Sequence, residues 1–290
     1  MNRINPALFV DAFTAWMRQT SPDKPDFVAT SRRSHDRSAD KAPLHLVSAF
    51  AATSRLVPGQ GAVPDKSGET TALTAHLERL GANDGLKGAI VSIDAIATNA
   101  TIATAIRNVG ADYLLAINAN QPTLCAEVEA CFADAPAAEL DRVTDIEERR
   151  VTVSCEADWL AGSRRFPDEL RLPEAKTIIR VKNRTELKDR CRHDQILHVF
   201  STARRRAGRL GRAWWSLADR ERPALDPRRR LQRRSIAAPK GHGAHNSAVV
   251  RHFALNLVRA LSDKRSIKRR RKVAGWNADY LASIIGELAR

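Results

Sequence analysis

Helical and strand-like hydrophobic patterns alternate along the first two thirds of the chain. Leucines at helical spacing predict an amphipathic helix that ends near Gly81. The runs at 88–94 and 111–118 are almost continuously apolar, which is typical of strands buried on both faces of a sheet. Because a helix is predicted over 99–108 between them, this order favours a parallel βαβ unit and an α/β fold.

Further elements follow from the same reasoning. Strands are predicted at 44–50, 148–155 and 176–183, and the last two indicate a β-rich insertion. A helix is predicted over 122–132. Residues 54–70 contain proline and glycine and are interpreted as turns that continue the first strand.

The chain begins with a segment that places apolar side chains on one helical face. That face is formed by Leu8, Phe9, Ala12, Phe13 and Trp16. No basic region leads into a continuous apolar core, so we expect a docking helix and not a signal peptide. No run of about 18 apolar residues exists, so no membrane partner is expected.

Charge adds a candidate partner. The formal net charge is +15, which is typical of proteins that bind nucleic acid. Residues 190–240 hold 15 basic and 4 acidic residues, whereas the rest of the chain holds 33 and 29. Most of the net charge therefore belongs to one segment. The four cysteines lack metal-site spacing and are interpreted as reduced thiols of a cytoplasmic protein.

Asp94 is the candidate for chemistry. It ends a buried strand, and the carboxyl ends of such strands are where α/β sheets place ligands. The alternative is an aspartate that ends the strand and hydrogen-bonds the following turn. One carboxylate does not make a two-metal site, which needs several oxygen ligands from different elements.

Two long blocks carry a family resemblance. "VSIDAIATNATIATAIRNVGADYLLAINANQPTL" (91–124) and "NSAVVRHFALNLVRALSDKRSIKRRRKVAGWNADYLASIIG" (246–286) resemble DDE-superfamily insertion-sequence transposases of the ISAs-type branch. The resemblance implies an RNase H-like mixed sheet flanked by helices, with a β-rich insertion and a C-terminal helical tail. It also implies Mg²⁺-dependent DNA cleavage and strand transfer at element ends, a homodimer, and a bacterial, nucleoid-associated location.

The resemblance also implies site residues. Asp94 matches the second aspartate of the triad of two Asp and one Glu, so it is the expected catalytic and metal-binding residue. Residues expected to contact DNA are Asn120, Gln121, Lys264, Arg265, Lys268, Arg269, Arg270, Arg271 and Lys272. The alternative for 264–272 is a solvated basic helix face.

The chain departs from the family at the first aspartate. "FVATSRRS" (27–34) lacks the Ile-Asp-Gly-Lys of the family pattern, and Asp26, Asp36 and Asp40 do not lie at the matching point. The loss is expected to shorten a central strand and damage its packing. Asn118 also stands where the family usually has Lys.

The glutamate of the family triad is also missing. We interpret residues 190–240, where it is expected, as an out-of-frame translation. Residues 215–240 can be encoded so that the next frame contains "HWPIENGLHW", the family's glutamate helix. The same shift gives 190–201 a family-like strand, and frame is regained at 241–246. Residues 190–240 are therefore expected to be irregular.

These observations predict four segments and leave three hypotheses open. The segments are an N-terminal helix remnant (1–26), an RNase H-like domain (27–189), the frame-shifted segment (190–240) and a C-terminal helical segment (241–290). The first hypothesis is a degenerate, catalytically inactive transposase. The alternatives are a non-catalytic DNA-binding remnant or regulator, and an active enzyme hidden by a sequencing error.

Overall fold

The computed structural model describes most of the chain. The described residues are 3–20, 25–35, 44–51, 54, 56–63, 69–148, 152–161, 170–186, 190–202, 242–261 and 263–286. They form two compact units, a first unit of residues 1–89 and 216–290 and a second unit of residues 90–215. The four predicted segments and their boundaries stay a prediction.

Seven α-helices and nine strands are described. The helices are α1 (Pro6–Thr20), α2 (Glu69–Gly81), α3 (Ala100–Asn108), α4 (Pro122–Asp134), α5 (Gly243–Ala260), α6 (Ile267–Trp276) and α7 (Ala278–Gly286). The strands are β1 (Phe27–His35), β2 (Leu44–Ala51), β3 (Leu56–Val63), β4 (Ile90–Ile93), β5 (Asp112–Ile117), β6 (Asp141–Glu148), β7 (Thr152–Ala161), β8 (Thr177–Glu186) and β9 (Cys191–Phe200).

In the first unit, β1 to β3 form an antiparallel meander. Strand β1 pairs with β2 from Val28 opposite Ala51 to His35 opposite Leu44. The expectation of a shortened, badly packed strand is therefore wrong, since β1 is nine residues long and Val28 is fully buried. Ladder hydrogen bonds use main-chain groups, so the residues after Ala29 complete the strand despite the missing motif.

Strand β3 was interpreted from sequence as turn residues, and that interpretation is wrong. Pro58 is compatible with β3 because β3 ends the strand order and is an edge strand. A Cβ at Gly59 would lie 3.0 Å from Leu80 Cδ2 and 3.3 Å from His76 Cε1. The glycine therefore allows α2 to pack closely against the strand.

Helix α1 docks through most of the predicted face, since Phe9, Phe13 and Trp16 all pack on the core of the first unit. Val10 and Phe13 are buried and pack in one cluster with Leu56 of β3 and Val249 of α5. Leu8, in contrast, is 68% exposed. The predicted docking helix is therefore present, except that Val10 is buried where Leu8 was expected.

The second unit contains the predicted βαβ unit. Strands β4 and β5 are parallel, with Ile90 opposite Asp112 and Ile93 opposite Leu115, and α3 connects them. Within this unit the strand order is β4-β5-β9-β8-β7-β6. All pairs other than β4–β5 are antiparallel, so the sheet is mixed.

The β-rich insertion is present with different boundaries. The predicted strand at 176–183 corresponds to β8. The strand predicted at 148–155 corresponds in its second half to β7, which begins at Thr152, whereas Glu148 is the last residue of β6. Strand period alone does not locate the boundary between two consecutive strands of similar composition.

Strand β9 lies within the segment that was expected to be irregular. It pairs with β5 on one side and β8 on the other, and Leu197, Val199 and Phe200 are buried. The expectation is therefore wrong for residues 191–200, because two neighbouring strands pair its backbone and its apolar residues fill the sheet face. Residues 203–241 lie outside the described residues.

Three helices, α5 to α7, form the predicted C-terminal tail. The α/β class is confirmed, with a mixed sheet flanked by helices, a β-rich insertion and a helical tail. His252 of α5 is buried and hydrogen-bonded to Gln60 of β3. Among the described residues, no helix has both the length and the apolar character to cross a membrane.

Candidate functional site

The carboxyl ends of β4 and β5 meet at one edge of the second unit's sheet, because the two strands are parallel. The loops that follow them, 94–99 and 118–121, are called the carboxyl-end loops. Asp94 is the first residue after β4 and is exposed. The structure thus puts the candidate carboxylate at the expected end of a buried strand.

Asp94 also organises the turn that follows it. Its Oδ1 accepts a hydrogen bond from the Ala95 N–H at 2.8 Å, and its main-chain oxygen accepts from the Ala97 N–H at 3.1 Å. The carboxylate therefore caps the short 3₁₀ turn Ala95–Ala97. This is the turn-binding alternative raised from sequence, and it leaves the side chain at the surface.

Asn120 and Gln121 are brought next to the Asp94 turn. Asn120 Nδ2 donates to the Ala95 carbonyl at 3.3 Å, and Gln121 Nε2 donates to the Thr98 carbonyl. The two amides hold the carboxyl-end loops together, which is a structural role. Their contact with DNA stays a prediction.

Two further polar residues of this corner were not singled out from sequence. Thr98 is buried, and its hydroxyl donates to the Ala116 carbonyl of β5 at 2.8 Å. Asn99 Oδ1 accepts from the Ile102 N–H at 2.9 Å and caps α3. An asparagine at the start of the helix predicted over 99–108 was an available signal for the cap, whereas nothing local marked Thr98.

The donor set at this corner does not fit a two-metal site. Asp94 is the one carboxylate of the carboxyl-end loops, since their sequences are "DAIATN" and "NANQ". Nowhere in the part of the chain that the structure describes do three His, Cys, Asp or Glu side chains group so that they could hold a metal ion. Asp26 is exposed before β1, and Asp36 and Asp40 lie outside the described residues.

The predicted DNA-binding cations lie on and before α6 in the first unit. Arg270 is bound to main-chain carbonyls: Nε donates to Arg265 at 2.8 Å, and Nη1 donates to Val258 and Leu261 at 2.9 and 2.7 Å. Its Nη2 donates to the Asp263 carbonyl. Arg270 therefore caps the carbonyls at the end of α5, which sequence reasoning did not predict.

Arg265 has a partner of opposite charge. Its Nη1 lies 2.9 Å from Asp263 Oδ2, and the Tyr280 hydroxyl donates to the same oxygen at 2.6 Å. The hydrogen bond from Tyr280, followed by the bonds from Arg265, holds the pKa of the Asp263 carboxyl well below its usual range. The charge of Arg265 is thus partly compensated.

The other predicted cations differ in exposure. Those exposed to solvent are Lys264, Lys268, Arg269 and Lys272. Arg271 is partly buried, and burial lowers the pKa of its guanidinium. The tail therefore keeps a set of exposed cations that can meet an anionic surface.

Comparison with known proteins shows which proteins the chain resembles. The chain is 27% identical to "H repeat-associated putative transposase YhhI" of Escherichia coli (strain K12) over 312 aligned positions, which cover 97% of this chain and 77% of that protein. The chain is therefore similar over nearly its whole length to a protein named as a putative transposase.

Other proteins also match this chain. It is 36% identical to "Uncharacterized protein in dhlA 3'region" of Xanthobacter autotrophicus over 199 residues, and the match covers 63% of each chain. The chain thus spans less than two thirds of that relative. A solved piggyBac transposase synaptic complex with hairpin DNA matches with a TM-score of 0.48 and 7% identity, over 91% of this chain and 54% of that one. No family model matches.

Proposed function

We propose that this chain is derived from a DDE enzyme with an RNase H-like catalytic domain. The ancestor would have cut and joined DNA at the ends of its own mobile element with Mg²⁺, as a homodimer in the bacterial cytoplasm. The observation that carries the proposal is Asp94, exposed at the carboxyl end of β4 in a parallel β4–α3–β5 unit. The meander of β1 to β3, earlier in the chain, supports the same domain type.

Catalytic inactivity of this chain is the second part of the proposal. Strand β1 reads "FVATSRRSH" and contains no carboxylate, although the family resemblance implies an aspartate there. The glutamate motif is also absent from the translated residues 190–240. With one of three carboxylates, a metal pair lacks its other anchors, and groups that act as a unit fail together.

A DNA-cleavage assay tests inactivity. The purified chain and its Asp94→Asn variant are incubated with DNA carrying the element ends, in Mg²⁺ and separately in Mn²⁺. We expect neither protein to nick the DNA. Metal-dependent nicking by the unaltered chain that disappears in Asp94→Asn would contradict the proposal, and it would identify Asp94 as catalytic.

The coding DNA tests the frame interpretation independently of any assay. Codons 185–245 are re-sequenced on independent clones. We expect the shifted frame to spell the glutamate motif over residues 215–240. Codons that exclude this motif in every frame would refute the interpretation and make the arginines of this segment candidates for mutation.

A DNA-binding remnant is the second candidate function, and the exposed cations of the tail favour it. Lys264, Lys268, Arg269 and Lys272 can contact phosphates without any catalytic carboxylate. Preference for element ends over unrelated DNA would indicate a regulator. Equal, strongly salt-dependent binding to all sequences would indicate attraction by charge alone.

A further inference from the structure

The exposed cations of α6 continue into an exposed tryptophan. Lys268, Lys272 and Trp276 follow one another at intervals of four residues, so they lie along one face of α6. Successive members are about 6 Å apart along the helix axis. We call these three residues the lysine–tryptophan stripe.

Trp276 is unusual in its exposure. Its side chain is 74% exposed, although tryptophan carries a large apolar ring that proteins normally cover. The backbone beside it is also open, because a Cβ at Gly275 would meet nothing within 4 Å. Most of the indole surface is therefore open to a flat partner.

The position of the stripe is fixed by neighbouring contacts. Arg270 ties α6 to the carbonyls at the end of α5, and Ser266 Oγ accepts from the Arg269 N–H at 3.4 Å to cap the helix. Asn277, next to Trp276, directly precedes α7, and its Oδ1 accepts from the Tyr280 N–H at 2.9 Å. The stripe therefore lies on a capped helix. Hydrogen bonds fix the chain both before and after this helix.

We propose that Trp276 stacks on an unpaired nucleobase while Lys268 and Lys272 contact phosphates of the same strand. Charge complementarity selects this occupant, since α6 contains five cations in "KRRRK" and no acid. Stacking on an aromatic side chain is sequence-tolerant and requires a base whose face is not covered by a neighbour. Trp276 therefore acts at a DNA end, a single-stranded extension or a displaced base.

This inference rests on the proposed function, because it names the form of DNA that the tail recognises. A second copy of the chain is the competing occupant, since Leu281 and Ile285 of α7 are 43% and 55% exposed. Two copies that faced each other through α6 would oppose their cationic residues, which is unfavourable. The charge of α6 thus favours nucleic acid over self-association.

Binding of the full chain to two DNA probes tests the inference. One probe is a blunt duplex and the other is the same duplex with a short single-stranded extension, and both are followed by fluorescence anisotropy at several salt concentrations. We expect the unaltered chain to prefer the extended probe by about tenfold. Trp276→Leu keeps an apolar side chain but has no ring, so it should bind both probes equally, whereas Trp276→Phe should keep part of the preference.

Lys272→Ala is the matched control for charge. It should weaken binding to both probes by the same factor and reduce the salt dependence. Circular dichroism should show the same helix content and melting temperature for Trp276→Leu as for the unaltered chain, because the replaced side chain is exposed. Loss of the tenfold preference then reports on the ring and not on folding.

The remaining outcomes separate the two proposals. Binding of neither probe by the unaltered chain would overturn the DNA-binding candidate function together with this inference. Binding of both probes with a preference that Trp276→Leu retains would overturn this inference alone. A dimer that Trp276→Leu converts to monomers in sedimentation, with the probe preference unchanged, would make the stripe a self-association surface and would also overturn it.

Discussion

Asn256 joins the C-terminal tail to the edge of the first unit's sheet, and its replacement by leucine should destabilise that unit. Asn256 is buried on α5, and its Oδ1 accepts from the Val57 N–H at 2.9 Å while its Nδ2 donates to the Val57 carbonyl at 2.9 Å. Val57 lies on edge strand β3 and is itself buried. The side-chain amide thus takes the place of a neighbouring strand.

The magnitude follows from the two main-chain groups that Asn256→Leu would leave unpaired. Each costs about 1–3 kcal/mol when buried without a partner. Burial of the leucine recovers about 1–2 kcal/mol. We therefore expect the free energy of unfolding to fall by about 3 kcal/mol. The exposed Asn108, at the end of α3, provides the control, and Asn108→Leu should change stability by less than about 0.5 kcal/mol.

Urea unfolding followed by far-ultraviolet circular dichroism measures the change, and amide hydrogen exchange of the β3 peptide locates it. Exchange at β3 should accelerate in Asn256→Leu because α5 no longer holds the strand. A loss below about 0.5 kcal/mol, with β3 exchange unchanged, would refute the reasoning. Asn256→Asp should be destabilised at neutral pH and recover as the pH falls, since a protonated carboxyl can again donate to Val57.

Two further predictions concern other parts of the chain. Asp158 is buried between Arg142 (2.8 Å) and Arg180 (2.7 Å); burial alone would raise its pKa, but hydrogen bonds from the two arginines hold the pKa below its usual range. Asp158→Asn should therefore cost about 2–3 kcal/mol in urea unfolding, against less than about 0.5 kcal/mol for the exposed pair variant Glu186→Gln. The stabilisation from Asp158 is present above the unfolded-state pKa near 4 and is lost as the pH falls through the lower folded-state pKa. If Asp158→Asn unfolded in acid at the same pH as the unaltered chain, this prediction would be contradicted. Gly275→Ala should raise stability by about 0.5–1 kcal/mol, because the position is helical and open to a Cβ, and an unchanged or lower melting temperature would count against this.

The sequence predicted those elements whose signal is local. The helix that ends at Gly81, the βαβ unit and β8 were all predicted close to their observed bounds. Each has a continuous apolar run or a helical repeat that needs no information from distant residues. The same signal led to Asp94, since the end of a buried run marks the end of a strand.

The elements that the sequence predicted wrongly, β3 and β9, both depend on contacts with distant residues. Strand β3 contains Pro58 and Gly59 and looks like a turn until His76 and Leu80 of α2 are packed against it. Strand β9 lies in residues 190–240, which were interpreted as an out-of-frame translation and expected to be irregular. Main-chain pairing with β5 and β8 nevertheless makes it a strand. Pairing partners far apart in the chain override local composition.

For the candidate site, too, some residues were identified from the sequence and others only from the tertiary structure. The family resemblance identified Asp94, Asn120, Gln121 and the basic tail, and their contact with metal or DNA stays a prediction. The tertiary structure added that Asn120 and Gln121 bind the Asp94 turn and that Arg270 caps α5. It also showed that the side chain of Trp276 is exposed, which the sequence pattern did not indicate.

The sequence by itself thus determined the class of fold, the βαβ unit and the carboxylate at its end, because hydrophobic periodicity is written in neighbouring residues. Only the tertiary structure decided that Val10 and not Leu8 is buried in α1, that β3 and β9 are strands, and which tail cations remain exposed. Those outcomes depend on main-chain carbonyls, edge strands and apolar surfaces supplied by residues tens to hundreds of positions away, as the 199-residue separation of Val57 and Asn256 illustrates.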